Sequence, residues 1–173
     1  MKRLLVLMAA AVFGLSFAAG CARIPAHWKG ELSMRDIYLN LMTDEQAAVL
    51  RQMEADEVDE EKRILYCQEI GVYQLWCGVP EEIRAAIRKG RLVEGMQPVE
   101  VRMGWGPPAA VETITTDAER ADGHRRDLWN YMPQVAKDGS VTYQRQACFL
   151  DEQLEWYKDF HKRSFSSRLA PPK

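Results

Sequence analysis

Gly106-Pro107-Pro108 splits the chain into two stretches that cannot share one kind of secondary structure. Consecutive prolines remove two backbone donors and forbid a helix from continuing, and a glycine in front supplies the left-handed backbone at which helices stop. Upstream, apolar residues recur at helical spacing. Thr43-Asp44-Glu45-Gln46 is a capping-box pattern in which Thr43 and Gln46 each satisfy an orphan N–H. Ala47, Leu50 and Met53, or Val49 and Met53, give the helix that follows, over 44–54, an apolar face. The acidic run Asp56 to Glu61 precedes Lys62-Arg63, Ile64, Cys67 and Ile70, which reads as a solvated helix start rather than a docking patch. Gly71 ends that helix, and Val72 to Trp76 adds one or two helical turns. Pro80-Glu81-Glu82 opens another, with Ile83, Ala86 and Ile87 as its stripe, Arg88 and Lys89 near its end and Gly90 as its cap.

Downstream, the period drops to two. Ala109–Thr116 is rich in β-branched residues, Leu128–Met132 is a short apolar-aromatic strand, and Val141–Leu150 alternates. Asp151-Glu152 makes a tight connection to Leu154–Tyr157, and polar Asp117–Arg126 reads as a long hairpin loop. The expected fold is α+β: an N-terminal helical region, then a small two-layer domain of short helices on a three- to four-stranded antiparallel sheet. The expected division is a leader at 1–20, a tether at 21–42 with a short helix at Met34–Leu41, helices at 43–90, the α+β domain at 91–160 and a frayed tail at 161–173.

The leader carries an address. Met1-Lys2-Arg3 is basic, Leu4 to Ala19 is apolar apart from Ser16, and Ala18-Ala19-Gly20 shrinks the side chains just before Cys21. That order describes a secretory signal peptide; an uncleaved anchor would leave Cys21 without a role. Ala18-Ala19-Gly20-Cys21 resembles the lipobox of bacterial lipoproteins, which implies that the Cys21 thiol takes a diacylglyceryl group and becomes the first residue. Two or more acyl chains of the palmitate class make retention effectively permanent. With Ala22 in place of an Asp that would resemble an inner-membrane retention signal, the implied location is the periplasmic face of the outer membrane.

An oxidising compartment permits a disulfide, but Cys67, Cys77 and Cys148 cannot all pair. Cys67 and Cys77 flank Gly71, where a helix–turn–helix would bring them together; otherwise the thiols are small buried apolar groups.

Gly95-Met96, Val101 six residues after Gly95, Gly106 five further on, and Pro108 form one spaced set. Pro98 presets a first helical turn, Val101 points to the core and Gly106 stops the helix, so a short helix is clipped between turns and delivered onto a sheet. This segment, followed by Asp127, Trp129 and Tyr131 and then Phe149-Leu150-Asp151 with Leu154, resembles the SmpA/OmlA-type domain, found in the small lipoprotein of the outer-membrane β-barrel assembly machine. The resemblance spans residues 91–157 and implies two helices packed on a three-stranded antiparallel sheet, with a protein partner in the envelope. Gln97 in place of a Thr cap, Gly104 within the short helix and the long helical stretch 43–90 depart from that pattern.

Chemistry is sparse. With 23 Lys+Arg against 25 Asp+Glu, the chain has no basic footprint for nucleic acid. His27, His124 and His161 lie far apart, and Glu119, Asp122, His124 and Asp127 read as a solvated loop rather than a metal site. No nucleophile-elbow, zincin or phosphate-loop motif occurs, so neither enzyme activity nor a cofactor is expected. Trp105, Trp129 and Trp156 are expected in the core and Trp28 at the membrane interface, with Trp156, Tyr157 and Phe160 alternatively forming an exposed anchor. The expected function is that of a non-enzymatic, lipid-anchored protein–protein interaction module; the alternative is a periplasmic ligand-binding or inhibitor-type module.

Overall fold

The computed structural model describes residues 31–160, and the Cys21 lipidation site, Trp28 and the tail at 161–173 lie outside them. Helices come first: α1 (Met34–Leu41), α2 (Asp44–Ala55), α3 (Glu60–Glu69), α4 (Val72–Cys77), α5 (Glu81–Arg88) and α6 (Pro98–Trp105). The expected caps are in place. The Thr43 hydroxyl accepts the Gln46 N–H, and Gln46 Oε1 accepts the Thr43 N–H at 3.0 Å. Gly71 holds φ 83° between α3 and α4. Pro98 lies in the first turn of α6, where Glu100 Oε2 accepts the Gln97 N–H at 2.7 Å.

Gly106 turns the chain from helix to sheet at φ 80°, ψ −173°, a region open essentially to glycine alone. Strands β1 (Ala110–Thr113), β2 (Arg126–Val135), β3 (Val141–Leu150) and β4 (Gln153–Asp159) then form an antiparallel meander in the order β1-β2-β3-β4. The α+β architecture is as expected, with a fourth strand beyond the three that the resemblance implies. Asp151 and Glu152, at φ 48° and 63°, form the two-residue β3–β4 turn, as primed hairpin turns require. A bulge leaves Glu155 as the extra residue between the pairs Phe149–Leu154 and Cys148–Trp156.

Two expectations need correcting. The stretch 117–126 is not all loop: α7 (Asp117–Ala121) occupies half of it. This helix buries no side chain and is held by its own capping box, Thr116 with Glu119. Nor does the tether run to residue 42. Leu32, Ile37, Tyr38 and Met42 belong to the buried cluster that continues through Ile87, Met96 and Val101 to Phe149 and Leu154. Arg102 of α6 explains the docking: its Nε donates to the Asn40 carbonyl at 2.8 Å and its NH2 group to that of Met42 at 3.1 Å. Asn40 Nδ2 returns a bond to the Met103 carbonyl at 2.9 Å. A guanidinium thus satisfies carbonyls that the end of α1 would leave orphaned.

The helices cover one face of the sheet, the face carrying Trp129, Tyr131, Ala147 and Phe149. Trp105 of α6 stands edge-on to Tyr131 at 5.4 Å and to Tyr157 at 5.9 Å, with the Arg145 guanidinium 4.9 Å from its ring. Arg145 pairs with Asp159 at 3.2 Å, both side chains being nine-tenths buried. Burial lowers the pKa of Arg145 and the Asp159 charge opposes that shift.

Candidate interaction groove

Strand alternation puts Asp127, Trp129 and Tyr131 on the same side of β2. Their surroundings differ. Tyr131 is sealed beneath Trp105, and burial raises its phenol pKa. Trp129 is half-buried, tilted 55° against Phe149 with ring centroids 4.8 Å apart. These two rings floor a groove of about 310 Å³. Val111 on β1 is one wall, 51% exposed, and Pro98 at the start of α6 is the other.

One end of the groove is charged. Asp127 accepts a bond from the Thr113 hydroxyl at 2.7 Å and an ion pair from Arg125 Nε at 2.9 Å. Across the gap, Asp151 accepts the Arg125 N–H at 2.8 Å and lies 2.6 Å from His124 Nδ1. The Arg125 N–H, and next the imidazole, hold the Asp151 carboxyl below its usual range, while Asp151 raises the pKa of His124. Glu152 completes this end. An apolar aromatic floor with a fixed charge pattern at one end can bind an apolar side chain and orient what flanks it.

The outer edge of β1 is unpaired among the described residues, since β1 bonds only to β2. The opposite edge of the sheet is partly occupied. Gly95 donates to the Leu154 carbonyl and Leu154 to that of Met96, both at 2.8 Å, so the Gly95-Met96 pair is laid against β4. Gly95 does this at φ 85°, Met96 and Val101 are fully buried, and Pro108 is half-buried beyond the Gly106 turn.

On the far face of the sheet, a polar ladder crosses β1 to β3: Asn130 Nδ2 donates to Glu112 at 2.7 Å, and Gln146 Nε2 to Asn130 Oδ1 at 2.9 Å. Beside it Arg126 is gripped by Glu155 and by Glu119, the latter at 2.7 Å, and contacts the Cys148 sulfur. Those two carboxylates raise the pKa of Arg126 further.

The polar loop does not converge. Glu119 goes to Arg126, Asp127 to Thr113 and Arg125, and His124 to Asp151; among the described residues, no group of three or more potential ligands is placed to hold a metal. Cys67 and Cys77 are not bridged: all three described thiols are free, with Cys67 and Cys148 buried and Cys77 exposed. Cys67 is turned into the helical core while Cys77 sits outward at the end of α4, and burial pushes the Cys67 and Cys148 thiols above their ordinary value. Of the tryptophans, Trp105 is in the core, whereas Trp129 and Trp156 are half-buried; Tyr157 and Phe160 are more than two-fifths exposed. The sequence reading places Pro98 and Glu152 at turns, Val111 in a strand and Arg125 in a loop, and gives none of them a binding role. The available signal was the common side of Asp127 and Trp129, set against a helix too short to cover both ends of β2.

No described helix is long and apolar enough to cross a membrane. Compared with family models, curated proteins and solved structures, the chain matches none.

Proposed function

We propose that this protein is a lipid-anchored, non-enzymatic adaptor of the bacterial envelope. Acyl chains on Cys21 hold the folded body on the periplasmic face of the outer membrane, and the Trp129 groove with the open edge of β1 receives a protein partner. The resemblance of residues 91–157 to the SmpA/OmlA-type domain suggests outer-membrane assembly or integrity as the setting. The observation that carries the reading is the half-exposed Trp129 at the floor of a groove beside an unpaired strand edge.

An edge strand offers main-chain donors and acceptors to an incoming extended segment, and a neighbouring pocket selects its side chains. Tryptophan in a partly closed pocket is the residue type on which binding energy concentrates. A segment with an apolar residue for Trp129 and a basic residue beside Glu152 fits the groove. Confinement to a surface raises the effective concentration, so a weak interface suffices.

Crosslinking in intact cells, followed by mass spectrometry, tests the setting. Recovery of barrel-assembly subunits supports it, and a bound small ligand without them overturns it. Cys21→Ser tests the anchor separately: the protein should leave the membrane fraction, and unchanged partitioning contradicts the reading.

A further inference from the structure

Two features of the Trp129 groove point to an occupant within this chain. Its floor is aromatic, Trp129 against Phe149, and its walls are Pro98 and Val111. Aromatic-lined grooves take proline-rich segments, which arrive already extended and lose little entropy on docking. The second feature is Glu152. The other carboxylates of the groove are engaged, Asp127 by Thr113 and Arg125, and Asp151 by His124 and the Arg125 N–H. Glu152, exposed in the β3–β4 turn, has no hydrogen-bond or ion-pair partner among the described residues.

The sequence supplies a complementary segment. Residues 161–173 follow β4 and carry Lys162, Arg163, Arg168 and Lys173 with no Asp or Glu. Within them Leu169-Ala170-Pro171-Pro172-Lys173 is an apolar run ended by a cation. Pro171 and Pro172 fix φ near about −65°, and each restricts the residue before it to extended backbone.

Reach selects that run. Phe160 leaves β4 beside Gln144, donating its N–H to that carbonyl at 2.9 Å. The helical face between it and the groove is filled, since Trp105 packs on both Tyr131 and Tyr157. The open route crosses the far face from β4 to β1, three strand spacings or about 14 Å, and then turns over the β1 edge, roughly 10 Å more. At about 3.3–3.6 Å per residue, Phe165 extends at most about 18 Å past Phe160 and stops short, whereas Pro171 extends about 36–40 Å.

We infer that, when no partner is bound, residues 169–173 of the same chain occupy the groove, with Pro171 and Pro172 on Trp129 and the Lys173 amine on Glu152. The inference rests on the reading of that groove as a binding surface and adds its regulation. A tail taking this route also lies over the unpaired donors and acceptors of β1, so a partner must displace it from both the groove and the edge.

A photocrosslinking residue at position 111 of the purified full chain, with the crosslinked residues mapped by mass spectrometry, is the test. An intrachain crosslink to Leu169–Lys173 is expected. It should fall at least fivefold in the double variant Pro171→Ser, Pro172→Ser and at least twofold in Glu152→Gln, with unchanged circular dichroism showing that both variants are folded. Absence of the crosslink, its spread evenly over 161–173, its formation only between two copies or its persistence in the proline variant overturns the inference. The purified sample contains no partner, so none of these results bears on whether the groove binds one in cells. There, the proline variant should raise the partner adduct from position 111 at least twofold, and an unchanged yield overturns the regulatory role.

Discussion

Tyr131 and Trp129 sit two residues apart on the same side of the same strand, yet one is sealed and the other lines an open groove. The difference is one of length. Helix α6 has eight residues and spans about 12 Å at the usual rise. Strand β2 has ten and runs about 33 Å. A helix of that size covers only the middle of the strand, around Tyr131, and leaves Trp129 half-buried on one side and Pro133 to Val135 exposed on the other, so a single alternating pattern yields both a core and a binding surface. The covered part is rigidified by Trp105, edge-on to Tyr131 and facing the Arg145 guanidinium, whereas the groove beside Trp129 is lined by charges from β2, the loop before it and the β3–β4 turn.

That contrast can be broken most forcefully at Trp105. Trp105→Ala should cost about 3–5 kcal/mol, because it opens a cavity under Tyr131 and uncovers Arg145, whereas Trp129→Ala should cost only about 1–2 kcal/mol. Urea unfolding of both variants measures the difference. Nearly as large is the effect expected of Asp159→Asn, which leaves the buried Arg145 charge without its carboxylate; about 3 kcal/mol is expected by the same measurement. Gly106→Ala comes next. A Cβ there meets Asn40 Oδ1 at 3.2 Å, and the backbone lies in a region that side chains avoid, so about 1–3 kcal/mol should be lost and the α1–α6 contact loosened.

The smallest effect lies at the charged end of the groove. His124 should titrate above its ordinary value of about 6.5 by NMR, and Asp151→Asn should bring it back. The sign follows from linkage. His124, with its pKa raised in the fold, contributes stability that is complete below about 6.5 and is lost as pH rises through the folded value. Asp151, with its pKa lowered, contributes above its ordinary carboxylate range, and that contribution is lost as pH falls through the folded value. The His124–Asp151 link is therefore strongest in mildly acidic solution.

Much of the fold was legible because punctuation residues act locally. Gly71, Pro80, Pro98 and Gly106 each dictate a backbone angle or remove a donor, whatever surrounds them, and the structure has a helix boundary at each. Helix α7 escaped because it buries nothing and so has no apolar stripe. Its Thr116-x-x-Glu119 cap was visible, and is the same device as the Thr43–Gln46 box that was recognised. The docking of α1 escaped for another reason: Arg102 reaches carbonyls some sixty positions earlier, and no local period encodes that. The groove was half legible. Asp127 and Trp129 were singled out, but Val111, Pro98 and Glu152 reach them only through strand register and the length of α6.

A photocrosslinking residue at position 111, on the wall of the groove, tests the central claim most directly when set against one at position 49 on the outer face of α2. In living cells the account predicts one discrete protein adduct from position 111, none from position 49, and loss of the former in the Trp129→Ala background. No adduct at position 111, or one that survives removal of the indole, would contradict it.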